Sequence, residues 1–308
     1  MMKLFLKIIV ILLGIGFMFS CKVKNQEIFN KIDTNYIPYY LKVYEADSLY
    51  LIKNYGRSYS ILDSLFKVYK PLNLEKYKEY ETYISCAFAL DLKMSFKDSI
   101  LKSIENYGSN SRYFKYDSLM NLAYKKAKIS NEESLKSTKI YLSKLNFQLR
   151  DSIKLMCQED QRVRRNKKNY DNQMRMIDSI NEIKLKVIID KYGYPHEKLI
   201  GEYYIDSIDV NLSTIFLHTD EDFRINYLLP KILIAVKLGK AYPELYSVSL
   251  DRYLESKTEK QLYGSYNLSR DRKHTSVSNF DKLDSIRKSI GLPSTTYMNW
   301  RRKIKYGF

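Results

Sequence analysis

Apolar residues recur at three- and four-residue intervals along most of the chain, in runs cut at short distances by Gly, Pro or Asn. No other feature constrains the fold as tightly, because that spacing builds one face of a helix and no coherent face of a strand. Val43, Ala46, Leu49 and Leu51 mark a first helix, from residue 41 to a break at Tyr55-Gly56. Tyr59, Leu62, Leu65, Phe66 and Tyr69 mark a second, ended by Pro71. Further helices are expected over 74–92, 96–107 with Gly108 as the stop, 117–128 and 132–155. A long amphipathic helix then runs to Tyr192, with Met176, Ile180, Ile183, Val187 and Ile188 as its apolar stripe. Gly193 ends it in the left-handed conformation and Pro195 prevents resumption. Helices follow over 205–218, to about 238 after an Asp220 cap and with a kink at Pro230, over 245–255, and over 281–290 as the last. One stretch departs from the rule. Gln261-Leu262-Tyr263-Gly264-Ser265-Tyr266 reads as extended and is expected to pair with 275–278 as a short β-hairpin. The expected fold is mainly α. A helical-hairpin array or irregular bundle fills 41–144, and a second helical domain with a short β-hairpin fills 145–308.

The amino end follows a different logic. Lys3 and Lys7 flank an apolar run over residues 8–19, and Ser20-Cys21 follow at once. A charged region, a greasy region and a small residue at the junction form the layout of a secretory signal. The run is shorter than the roughly 17–25 residues that span a bilayer, and Gly14 and Gly16 weaken it as a permanent helix. A cysteine at the junction makes the segment look like a bacterial lipoprotein leader. Residues 1–20 would then be removed and Cys21 would become the lipidated first residue. Each buried methylene adds roughly 0.8 kcal/mol to membrane attachment, so several acyl chains on one thiol hold a protein essentially permanently. Lys22, where an Asp would retain the protein, points to the outer membrane. Residues 21–40, polar and containing Pro38, read as a tether.

Formal charge is +17. An exported basic surface meets anionic lipid headgroups or acidic envelope polymers rather than nucleic acid. An AT-rich genome accounts for the same abundance of Lys, Tyr, Asn and Ile. Trp300, the only tryptophan, argues against a carbohydrate-stacking platform. Cys86 and Cys157 leave two readings open, a disulfide formed in an oxidising compartment or two buried thiols. With no Cys-x-x-Cys and only three histidines, a structural zinc site is not expected. Neither a phosphate loop of the form Gly-x-x-x-x-Gly-Lys nor a Gly-x-Ser-x-Gly elbow occurs. No cofactor is expected.

His218 is the leading catalytic candidate, since an imidazole titrates near neutrality and a neighbouring carboxylate makes it an acid or base. Asp222 lies four residues on. Asp251 and Arg252 are the other catalytic candidates, with Arg252 suited to a carboxylate or phosphate. Asp222, Gln261 and Tyr263 are candidates for ligand binding. The structural alternatives are a half-buried histidine at a helix end, an Asp220 cap, and an Asp251–Arg252 pair holding the hairpin. The basic run from Arg162 to Lys168 is expected to be a solvated helix face.

Several pieces of the second half arrive in a recognisable order. They are Asp160-Gln161 with Arg164 or Arg165, Asp178 and Asn181, Gly193-Tyr194-Pro195 and Gly201, and His218 with Asp220 and Asp222-Phe223. Asp251-Arg252, Gln261-Leu262-Tyr263-Gly264-Ser265, and Arg287 with Gly291-Leu292-Pro293 complete the set. This order resembles an uncharacterised bacterial family, domain of unknown function 6624, over residues 145–300. Tyr194 stands where that family has Trp, Leu217 and Arg224 where it has Gln, and Ser265-Tyr266 where it has Thr-Gln. The resemblance implies a domain and no established chemistry. The first half is similar to a degenerate tetratricopeptide array without its Trp-Leu-Gly-Tyr residues, a design that binds partners or serves as a spacer. Two functions follow as expectations: a lipid-anchored interaction or ligand-binding protein, or a hydrolase-like envelope enzyme using His218 with Asp251 and Arg252.

Overall fold

Local capping chemistry fixes most helix ends. Pro38 sits in the first turn of α1 (Ile37–Leu51), where its missing N–H costs nothing. Asn54 accepts the Arg57 N–H to start α2 (Tyr55–Val68). After α3 (Glu79–Ala89), the Ser95 side chain accepts the Asp98 N–H to open α4 (Phe96–Tyr107), and Gly108 closes it at φ +68°. A 3-10 turn (Ser111–Tyr116) leads to α5 (Ser118–Ala127), capped by Asp117, and to α6 (Asn131–Ser143), whose Ser130–Glu133 capping box satisfies two end donors. The segment expected as one helix over 132–155 is two. Asn146 accepts the Leu149 N–H at 2.9 Å and donates its own N–H to Leu199, so α7 (Phe147–Arg165) starts afresh there. The chain continues as α8 (Tyr170–Tyr192), α9 (Glu197–Ile200), α10 (Leu212–His218) and α11 (Glu221–Phe223). A π-helical stretch (Arg224–Leu228) then joins α12 (Leu229–Lys237). The kink expected at Pro230 is this widened turn. Proline has no N–H for the carbonyl one turn back and its ring crowds it, so the backbone opens. α13 (Pro243–Thr258), α14 (Leu283–Ser289) and α15 (Thr295–Tyr306) end the chain.

This computed structural model describes residues 35–165, 170–202, 205, 210, 212–266 and 277–307. The leader, Cys21, the tether up to residue 34, Lys167 and Lys168 lie outside them, as do 206–209 and 211 of the helix expected over 205–218, which is helical from Leu212. Among the described residues no helix is long and apolar enough to cross a membrane.

The fold is mainly α, and among the described residues, which leave out 267–276, the expected β-hairpin is not seen. Among the described residues Gln261 and Val277 form a single parallel bridge. The reason is visible at Asp251, whose carboxylate takes the N–H groups of Leu262, Tyr263 and Ser265 that a strand would have offered to a partner. α15 was not expected from the sequence. It docks through Tyr297 and Arg301, both bonded to Asp47 on α1, rather than through an apolar stripe.

Two halves of the chain share one core. Tyr39, Tyr40 and Val43 of α1 lie in the same cluster as Ile153 of α7, Phe216 of α10 and Ile232 of α12. A boundary at 144/145 therefore does not divide two cores, and residues from Asn35 onward form one compact unit. The expected tether shrinks for the same reason, since Tyr39 and Tyr40 are fully buried. Their hydroxyls hold the first helix in place: Tyr40 donates to Val236 or Ala241 and Tyr44 to the Gly291 carbonyl at 2.9 Å. A smaller cluster, with Ile84, Phe96, Ile100, Phe114 and Met120, fills the stack of α3, α4 and α5.

α8 is apolar on two faces, and packing chooses the less obvious one. Ile177, Leu185, Ile188 and Ile189 point inward, while Met176, Ile180, Ile183 and Val187 are exposed. Of the expected stripe only Ile188 is buried. Cys86 and Cys157 are both buried and form no disulfide, and burial pushes the Cys86 thiol up to about 11.

Candidate functional site

His218 is the last residue of α10, a position that brings its ring against α7. Its Nδ1 lies 2.9 Å from Oδ1 of Asp160, a side chain with no exposed surface, while His218 itself keeps 25 % of its own. A carboxylate can only accept, so Nδ1 carries a proton, and in the neutral imidazole Nε2 then holds the lone pair. Among the described residues Nε2 has no hydrogen bond. Asp160 is held from two further directions. Gln161 donates to Oδ2 at 2.8 Å, and Arg164, one helical turn on, donates to Oδ1 at 2.6 Å. The other arm of Arg164 grips both oxygens of Asp178 on α8, at 2.8 and 3.0 Å. Burial by itself raises the Asp160 carboxyl. The hydrogen bond and charge of His218, then Gln161 and Arg164, overcome it and hold the group below its ordinary value.

Two more arginines frame the histidine through its backbone. Arg252 Nη1 donates to the Leu217 carbonyl, and Arg224 Nη1 reaches the carbonyls of Leu217 at 3.3 Å and Thr219 at 2.7 Å. Arg224 is buried in the π-helical turn, and its Nε has no hydrogen bond. Burial first, and the charge of Arg252 second, lower its pKa. Among the described residues neither Arg224 nor Arg252 forms an ion pair. Asn181, one turn beyond Asp178, is buried with its Nδ2 unbonded. Arg224 Nε and Asn181 Nδ2 are both buried donors without a hydrogen-bond partner among the described residues.

The other candidates have different roles. Asp251 is fully buried and saturated, accepting the N–H groups of Leu262, Tyr263 and Ser265 and the Ser265 hydroxyl. Gln261 is fully buried, tied to Glu255 and to both backbone groups of Tyr266. The Tyr263 carbonyl accepts from Arg287, and its ring lies in a small cluster with Ile290 and Leu292. These three residues hold a loop, and the polar side-chain atoms of Asp251 and Gln261 are already bonded within the protein. No Asp251–Arg252 pair forms. Asp222 is exposed, and its N–H donates to the Asp220 cap. His218 and Arg252 do meet in one site. Sequence reasoning left Asp160, Arg164 and Asp178 out of it. The four-residue spacing of Asp160 and Arg164 was the available signal, yet Arg164 read as part of a solvated face.

One oxygen each of Asp160 and Asp178 and one nitrogen of His218 lie within 4.8 Å of one another. Arg164 already bonds both carboxylates, so a divalent cation would have to displace a guanidinium that neutralises them. The donor set as arranged does not fit a resident metal.

No family model, curated protein or solved structure matches the chain.

Proposed function

We propose that the chain is a lipid-anchored protein of the cell envelope, and that it is an acid–base enzyme acting on an anionic substrate at His218. The observation that carries this reading is the oriented imidazole. Asp160 fixes Nδ1 and would stabilise an imidazolium, leaving the Nε2 of a partly exposed ring free to move a proton. In a hydrolytic step Nε2 takes a proton from water, the oxygen attacks the electrophilic centre, and the imidazolium returns the proton to the leaving group. Arg252 and Arg224 bond the backbone on either side of His218 and among the described residues form no ion pair, so their positive charge suits a phosphate or carboxylate. The convergence of Asp160, Arg164, Asp178 and His218 also supports the likeness to domain of unknown function 6624, because these residues carry that resemblance. The leader supports the location.

Imidazole NMR of the purified chain tests the site. The His218 nitrogens should report the Nδ1–H tautomer and shift when inorganic phosphate is added. An Nε2–H tautomer, or no shift at millimolar phosphate or acetate, would overturn the proposal. A panel of phosphate and carboxylate esters then separates enzyme from binding protein, the enzyme reading requiring turnover that His218→Ala abolishes. For the anchor, Cys21→Ser should eliminate lipid labelling and release the protein from membranes; unchanged attachment would refute it.

A further inference from the structure

A second site, remote in its chemistry from His218, lies where α9, α10 and the turn between α12 and α13 meet the segment before α3. A cavity of about 290 Å³ opens there. A neighbouring cavity of about 230 Å³ shares its walls at Tyr40, Tyr194, Ser213 and Tyr242. Tyr40, Tyr194 and Tyr242 bring rings to the first wall, beside aliphatic residues such as Leu72, Ile200 and Val210. Tyr40 spends its hydroxyl on Val236 and Ala241, so it offers the cavity its ring. The Tyr194 hydroxyl has no hydrogen bond among the described residues. Tyr44 and Tyr77 add rings to the second cavity.

Glu197 is the odd member of this wall. Its two oxygens lie 2.9 Å from one donor, the Tyr242 hydroxyl. That hydroxyl has a single proton, so one carboxylate oxygen always lacks a donor. Among the described residues no cation pairs with Glu197. Lys78 is committed to Glu202 at 3.1 Å, and Lys198 donates to the Pro71 carbonyl at 3.1 Å. Burial, with Glu202 and Glu75 adding repulsion, pushes the carboxyl up to about 7. His196 beside it supplies no charge at neutral pH, because burial, then Lys240 and Lys198, push it down to about 4. Lys198 and Lys240 also line the cavity, but among the described residues neither forms an ion pair with Glu197, which lies in one wall with the rings of Tyr40, Tyr194 and Tyr242.

We propose that this cavity binds a small organic ammonium ion, its charge set against Glu197 and its alkyl groups against the rings of Tyr40, Tyr194 and Tyr242. A cation over an aromatic face gains from the ring quadrupole, and more when the site is dry. A bound cation also supplies the partner that Glu197 otherwise lacks.

Calorimetric titration of the purified chain tests this with choline and its uncharged carbon analogue 3,3-dimethylbutanol. Choline should bind about tenfold or more tightly than the analogue. Glu197→Gln should erase that preference without lowering the melting temperature, since it removes an acid the fold does not neutralise. Tyr194→Leu should weaken choline several-fold, and His218→Ala should leave it unchanged. Equal affinity for the two probes, undiminished choline binding in Glu197→Gln, or tighter binding of benzoate than of benzylamine would overturn the proposal. So would the absence of binding by choline, benzylamine and propylamine at millimolar concentration. Should Glu197→Gln fail to fold, the wild-type preference and the Tyr194→Leu loss decide.

Discussion

Two fully buried aspartates in the second half of the chain do opposite things. Asp251 collects four donors from residues 262–265, all belonging to one loop. Asp160 draws its donors from farther apart, with Gln161 and Arg164 on its own helix and His218 across a separation of 58 residues. The first corner is closed, every oxygen spent on backbone and hydroxyl groups with fixed positions. The second passes its charge outward to a ring that still has an unused nitrogen. A buried carboxylate says little about function by itself. What distinguishes the two is whether the hydrogen bonds end inside the protein or at a partly exposed group with an open nitrogen.

Breaking the closed corner should be the costlier experiment. Asp251→Ala strands three backbone N–H groups and a hydroxyl in the interior, and unfolding in urea should show a loss on the order of 4 kcal/mol. A loss below about 1 kcal/mol would mean that the loop finds water or other partners and that the corner is not closed. Asp160→Asn is milder, because Arg164 keeps Asp178 and His218 keeps an acceptor. Roughly 2 kcal/mol should be lost at neutral pH. The acid limb sharpens this point. Asp160 titrates lower folded than unfolded, so the unfolded chain binds the proton first as pH falls. Its stabilisation is complete above the unfolded value of 3.8 and disappears as pH drops through the lower folded value, where wild type and Asp160→Asn should converge. A constant gap across that range would show that the charge of Asp160 does not stabilise the fold. The smallest effect belongs to His218→Ala. One hydrogen bond on a partly exposed ring should cost about 1 kcal/mol or less, with little change in melting temperature. A large loss would place His218 among the structural residues with Asp251.

Helix ends were legible because the forces that set them are local. Gly108 and Gly193 stop helices where a left-handed residue was expected, and Asp220 caps α11 through the Asp222 N–H. The boundaries that failed depended on distant partners. The break before α7 needs Leu199 to take the Asn146 N–H, and α15 needs Asp47. On α8 the pattern itself was ambiguous. Met176, Ile180, Ile183 and Val187 make as good a helical face as Ile177, Leu185 and Ile188, and only tertiary packing selects between them. The candidate residues followed the same division. His218 and Arg252 were singled out from residue chemistry and lie close together, whereas the bonds that tie Asp251 and Gln261 into a loop could not be read, because sequence order does not show which donors surround a carboxylate. Asp160 was named within the resemblance but not joined to His218, because 58 residues separate it from the ring it orients.

Trp300 gives the arrangement an optical consequence. It is the sole indole in the protein, and its ring centre lies 6.1 Å from that of Tyr297, whose hydroxyl meets Asp47 near the opposite end of the described chain. Emission from that one fluorophore reports whether the last helix is seated on the first, so detachment of the carboxy end can be followed without adding a label.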